Sequence, residues 1–148
     1  MKTVKLRIFV NAFFALLIAS QPSLSAEQGV TVYKSPTCGC CTGWVDYLQD
    51  NGLQVKIIDL QDLDPIKKKY GVSRQLQSCH TALVDGYVIE GHVPVDDIRR
   101  LVKEQPEITG LTAPGMPPMS PGMASLKPKG YDVLSFDRKG KTEIYSSY

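Results

Sequence analysis

The chain is poor in histidine and tryptophan, with two residues and one. It has no internal repeat, which excludes a stacked-repeat architecture. Beyond Ala26 no apolar run approaches the roughly 20 residues that a membrane-spanning helix needs. A basic surplus is missing as well. The chain carries 17 basic and 15 acidic side chains, and Lys2, Lys5 and Arg7 fall in an opening stretch without a single acid. Without residues 1–26, 14 basic side chains face 15 acidic ones. That balance excludes the electrostatic footprint of a nucleic-acid binder.

The opening stretch has three parts: a basic start, a short apolar run from Ile8 to Ala19 broken by Asn11, and a polar exit with small residues from Ser20 to Ala26. This is the layout of a secretory signal peptide. Cleavage is expected after Ser25 or Ala26, with no stable membrane insertion afterwards. About 120 residues then remain, enough for one domain with its own core.

Val30–Tyr33 reads as a strand, and Trp44, Val45 and Leu48 recur at helical spacing between Cys41 and Gln49. Leu53–Leu60 is rich in branched residues and suits a second strand. Asp64-Pro65 opens a short helix, whose Lys67-Lys68-Lys69 run reads as a solvated face. Thr81–Val84 and Tyr87–Glu90 flank Asp85-Gly86, a strong hairpin signal. Pro94 opens a third helix with Val95, Ile98, Leu101 and Val102 on one face. The order predicts an α/β fold of thioredoxin-like type, a central mixed sheet flanked by helices. Residues 106–130 are dense in proline and glycine and predict no regular element. Tyr131–Phe136 and Lys141–Tyr145 predict a C-terminal β-hairpin. The expected layout is a signal peptide at 1–26, a metal-binding domain at 27–130 including the Pro/Gly/Met-rich loop 106–130, and the hairpin at 131–148.

Cysteine is scarce but concentrated. Three of the four fall in Cys38-Gly-Cys-Cys41, where the first strand gives way to the first helix, and the fourth is Cys79. A helix N-terminus favours thiolate over thiol, and thiolate is both a nucleophile and a metal ligand. Three readings follow. Structural disulfides suit an exported protein, although neighbouring Cys40 and Cys41 rarely bond to each other. A thiol–disulfide oxidoreductase would use Cys38 and Cys41 as its Cys-x-x-Cys pair, leaving Cys40 and Cys79 without a task. A soft-metal site uses all four sulfurs. Four-cysteine zinc sites usually pair two Cys-x₂₋₄-Cys units, whereas crowded thiolates can bridge ions, which favours more than one Cu(I). His80, His92, Met116, Met119 and Met123 are further candidate ligands. Each has a plainer role, as a hydrogen-bonded histidine or an apolar plug. Trp44 reads as core behind the thiol loop.

Val32-Tyr-Lys-Ser-Pro-Thr-Cys-Gly-Cys-Cys41 with Gly43-Trp44, Ser78-Cys-His-Thr-Ala82, Gly86-Tyr87, Glu90-Gly-His-Val-Pro94, Pro114-Gly-Met-Pro117 and Ser120-Pro-Gly-Met123 resemble the CopG-like copper-resistance family. The resemblance implies a thioredoxin-like fold, residence in the periplasm and the handling of excess copper. It further implies a multinuclear copper–thiolate site on Cys38, Cys40, Cys41 and Cys79. Another periplasmic copper-handling protein is the expected partner, and a copper chaperone to an exporter is an alternative role. Thioredoxins place a cis-proline beside the active site; here Cys79-His80-Thr81 stands there instead.

Overall fold

The alternation of Val30 and Val32 with more exposed neighbours buries one face of the first strand, β1 (Gly29–Lys34). In the computed structural model, residues 29–123 and 130–148 are described; the expected signal peptide lies outside them. The chain continues through α1 (Gly39–Asp50), β2 (Gln54–Asp59), α2 (Asp64–Lys69) and a 3₁₀ turn at Arg74–Leu76. β3 (His80–Val84), β4 (Tyr87–Glu90), α3 (Val95–Glu104), β5 (Gly110–Thr112), β6 (Asp132–Phe136) and β7 (Thr142–Ser147) follow. One mixed sheet in the order β2-β1-β3-β4-β5-β6-β7 holds all seven strands. The predicted α/β order and the C-terminal hairpin are present.

Local chemistry explains most of these elements. Asp85 and Gly86 both take positive φ, 46° and 84°, as a hairpin turn matching the right-handed strand twist requires. Pro94 caps α3, whose buried face is Val95, Ile98 and Leu101, joined by Asp97. Trp44, Val45 and Leu48 turn α1 onto the sheet and into a core that includes Val32, Ile89 and Leu111. Trp44 is fully buried there and donates its indole N–H to the Val93 carbonyl at 3.0 Å.

Two expectations need correction. Residues 106–130 do contain a regular element, β5, which pairs parallel with β4 and antiparallel with β6. Local propensity does not make this strand; two ready neighbours do. Gly110 is required at its start, because a Cβ there would stand 1.8 Å from the Val88 carbonyl oxygen. The second correction concerns Lys67. Lys68 and Lys69 are exposed, but Lys67 is buried and paired with Glu90. A lysine folds inward only where its ammonium meets a partner, and the partner comes from a strand 23 residues away. Among the described residues, no helix is long and apolar enough to cross a membrane.

Candidate metal centre

The turn after β1 delivers Cys38 to the N-cap of α1, where Cys38 N–H donates to the Ser35 carbonyl at 3.1 Å. One helical turn brings Cys41 beside it, and the two are joined in a disulfide. Cys40 and Cys79 are free and partly exposed. Cys79 reaches this loop from the segment before β3. Its sulfur lies 3.0 Å from Cys41 Sγ and 3.8 Å from Cys40 Sγ, and Cys40 Sγ lies 3.6 Å from Cys38 Sγ. All four sulfurs are within 4.8 Å of one another. The cluster can therefore hold a soft metal once its sulfurs are reduced, since ligands bind as thiolates.

His80 and His92 sit behind the sulfurs, both fully buried. With Cys79 they form a second group whose ligand atoms lie within 4.8 Å. The rings stack along Trp44, at centroid distances of 4.5 Å for Trp44–His80, 5.4 Å for His80–His92 and 6.4 Å for Trp44–His92. His80 Nε2 meets the Gly91 carbonyl at 3.1 Å. Among the described residues, His80 Nδ1 and both nitrogens of His92 make no hydrogen bond of good geometry, although the Pro121 carbonyl is near enough to His92 to act on it. Buried polar atoms are rarely left so, and unpartnered imidazole nitrogens beside a thiol are a donor set fit for a soft or borderline cation.

Burial pushes His80 down to about 3, with His92 and the Lys67 ammonium acting in the same direction. His92 is lowered as well, again by burial, with the Pro121 carbonyl pulling the other way. Both imidazoles are thus neutral at physiological pH, the form that ligates. The Cys79 thiol is pushed up to about 12 by burial and then by Cys40. Without a cation Cys79 keeps its proton, and a bound metal would displace it. The helix N-terminus expected to favour thiolates acts on the Cys38–Cys41 loop, and Cys79 lies off that helix.

Of the three candidate methionines, Met116 alone meets a thiol among the described residues, its Sδ 2.8 Å from Cys79 Sγ. Met119 is 44% exposed and Met123 is half-buried. No peptide bond among the described residues is cis. Lys67, Glu90, Ser78 and Thr81, which surround Cys79 from below, escaped the sequence reading. The one available signal was spacing: Lys67 stands four residues after Leu63 and three before Tyr70, on the side of α2 that they share.

A family described as "Protein of unknown function, DUF411" matches residues 76–123. Two solved structures are similar along most of the chain. One, described as copper resistance protein CopG, form 2, is 35% identical, with a TM-score of 0.77 over 82% of this chain and 98% of that one. The other, described as form 1 of the same protein, is 36% identical, with a TM-score of 0.76 over 81% of this chain and 96% of that one. No curated protein matches.

Proposed function

The chain belongs to the CopG-like copper-resistance family, and from that membership we propose that it binds Cu(I) in the periplasm and lowers copper toxicity there. One observation carries the reading: four cysteine sulfurs from two distant segments converge within 4.8 Å. Soft thiolates select Cu(I), and sulfurs this close can each bridge two ions, which supports a multinuclear site. Cys38, Cys40, Cys41 and Cys79 are the proposed ligands. Met116, whose sulfur lies 2.8 Å from Cys79 Sγ, would cap Cys79, and His80 or His92 would complete the coordination from the core side. Met119 and Met123 would shield the site from the same loop. Residues 1–26 are the proposed export signal, and 27–130 the metal-binding domain.

The disulfide sets the first step. A dithiol reductant that gives two electrons and two protons to the Cys38–Cys41 bond, closing its own disulfide, yields two thiols, so that four sulfurs become available. Copper then replaces their protons. Run in reverse, oxidation of the Cys38/Cys41 dithiol to the disulfide releases two protons and two electrons, enough to reduce two Cu(II) to Cu(I), and leaves Cys40 and Cys79 as the thiols that can hold Cu(I).

The test is metal analysis of protein reduced and loaded with Cu(I) under anaerobic conditions. We expect more than one copper per chain and short copper–copper distances in X-ray absorption. Less than one copper per chain, or unchanged loading in Cys40→Ala, would sink the reading.

A second reading is favoured by the closed Cys38–Cys41 pair itself: thiol–disulfide exchange with a protein partner. That activity would depend on Cys38 and Cys41 and be indifferent to Cys40 and Cys79. A metal site loses function with any of the four. One alanine series, read for both copper binding and disulfide reduction, separates the two.

A further inference from the structure

Lys67 and Glu90 form an ion pair shut off from solvent, 4% and 0% exposed, and the copper reading assigns it no task. Replacing such a pair with apolar side chains of similar volume is often neutral or stabilising. Its presence next to the sulfurs therefore asks for a reason other than stability. The directions of its hydrogen bonds supply one.

Lys67 Nζ, besides its bond to Glu90 Oε1, donates to Thr81 Oγ1 at 3.0 Å and to the His80 carbonyl at 3.2 Å. Glu90 Oε1 accepts the Ser78 backbone N–H at 2.6 Å, and Oε2 accepts the Thr81 hydroxyl at 2.8 Å. The Ser78 hydroxyl lies 3.0 Å from Glu90 Oε1 and 2.8 Å from the His80 carbonyl, and donates its one proton to either. The backbone just before Cys79 and the backbone just after it are thus tied to the same buried charge pair. Charge-assisted bonds are about twice as strong as neutral ones, and here they converge from α2, β3 and β4. The Cys79 side chain is left facing α1.

We propose that Lys67 and Glu90 are positioning residues for Cys79, clamping Ser78 and His80 so that the Cys79 sulfur stands against the Cys38–Cys41 loop. The consequence for copper affinity rests on the function proposed above, whereas the placement of the sulfur does not.

The experiment uses the protein with its Cys38–Cys41 disulfide intact, leaving Cys40 and Cys79 as the free thiols among the four. Iodoacetamide labelling of each is followed by peptide mass mapping, with Cys40 as the internal reference. Two variants are compared with the parent. Glu90→Gln keeps the side-chain shape and removes one charge, and the double variant Lys67→Met/Glu90→Gln removes both charges together and leaves no unpaired charge. Circular dichroism checks the fold.

We expect Cys79 in the folded double variant to label about tenfold faster relative to Cys40. After reduction we expect Cu(I) to be held about 10- to 100-fold less tightly against a chelator, the usual cost of losing a partner that orients a ligand. A folded double variant with parental Cys79 labelling and parental Cu(I) affinity overturns the proposal. If the double variant does not fold, Glu90→Gln decides, and unchanged Cys79 labelling there overturns it too. Parent protein that takes up no Cu(I) sinks the copper reading, while the labelling ratio still decides the clamp.

Discussion

His80 and His92 are buried side by side as neutral rings, and the fold keeps that arrangement only while they stay neutral. His80 carries a value pushed down to about 3, from an ordinary value of 6.5. In the unfolded chain it takes up a proton below about 6.5, so falling pH favours unfolding. Stability attributable to His80 is complete above that pH and is lost progressively as pH falls towards 3. Urea midpoints of the metal-free protein should therefore drop between pH 7 and pH 4, and the drop should be shallower in His80→Leu. Equal slopes in parent and variant would contradict this. The burial of these rings was not legible in the sequence. An isolated histidine beside a cysteine reads the same whether it faces water or core, and the difference is made by Trp44, which arrives from α1.

Among the elements, the loop after β5 depends on one close approach. Gly122, at φ 80°, packs on the start of α1 so tightly that a Cβ there would stand 2.4 Å from Trp44 N. Gly43 answers it from the helix, where a Cβ would lie 2.9 Å from the Gly122 carbonyl oxygen. This contact seats the segment that brings Met116 to the Cys79 sulfur. Gly122→Ala should cost about 1–3 kcal/mol in denaturant unfolding, from backbone strain and displacement together. Gly115→Ala, at φ 70° with nothing within 4 Å of the added carbon, should cost less. Comparing the two isolates the contact from the strain, and equal costs would refute the seat. The breaker density at 106–130 disclosed a loop at this scale. It could not disclose β5, whose partners lie on either side of the loop in sequence.

At the scale of the whole molecule, β5 joins the C-terminal hairpin to the sheet, and Asp97 ties the end of the chain to α3. Its carboxylate accepts hydrogen bonds from the Ser146 hydroxyl, from Tyr148 Oη at 2.9 Å and from Arg100 Nη2 at 3.0 Å. Tyr131 and Tyr148 stack at 5.1 Å and exchange backbone bonds of 3.0 and 2.9 Å. Asp97→Ala should lower stability by about 0.5–1.5 kcal/mol, because three donors lose their shared acceptor but, being partly exposed, can turn to water. Hydrogen exchange should speed up mainly over residues 131–148, and protection unchanged there would argue against the tie. The tyrosines add an alkaline limit. Burial, then neighbouring Asp97, pushes Tyr131 up to about 12, and burial with the Asp97 bond pushes Tyr148 up as well. Groups raised in the fold lend stability below their unfolded value near 10, and that stability is lost as pH rises beyond it. Tyr148→Phe should show a gentler alkaline decline in unfolding midpoint.

Pieces whose causes lie within a few residues follow from local chemistry. Asp85-Gly86 turned the hairpin through its backbone preference, and Pro94 with a four-residue apolar rhythm made α3. Cys38, Cys40 and Cys41 were bound to meet, because one helical turn brings them together. What joins that turn depends on how distant segments pack. Cys79 and Met116 approach from loops outside α1, Lys67 leaves its solvated neighbours to find Glu90, and Cys38 and Cys41 are closed while Cys40 and Cys79 are free. The physical reason is common to all of these. Desolvation and sulfur–sulfur contact act through space at a few ångströms, and local propensity carries no record of which distant segment will fill that space.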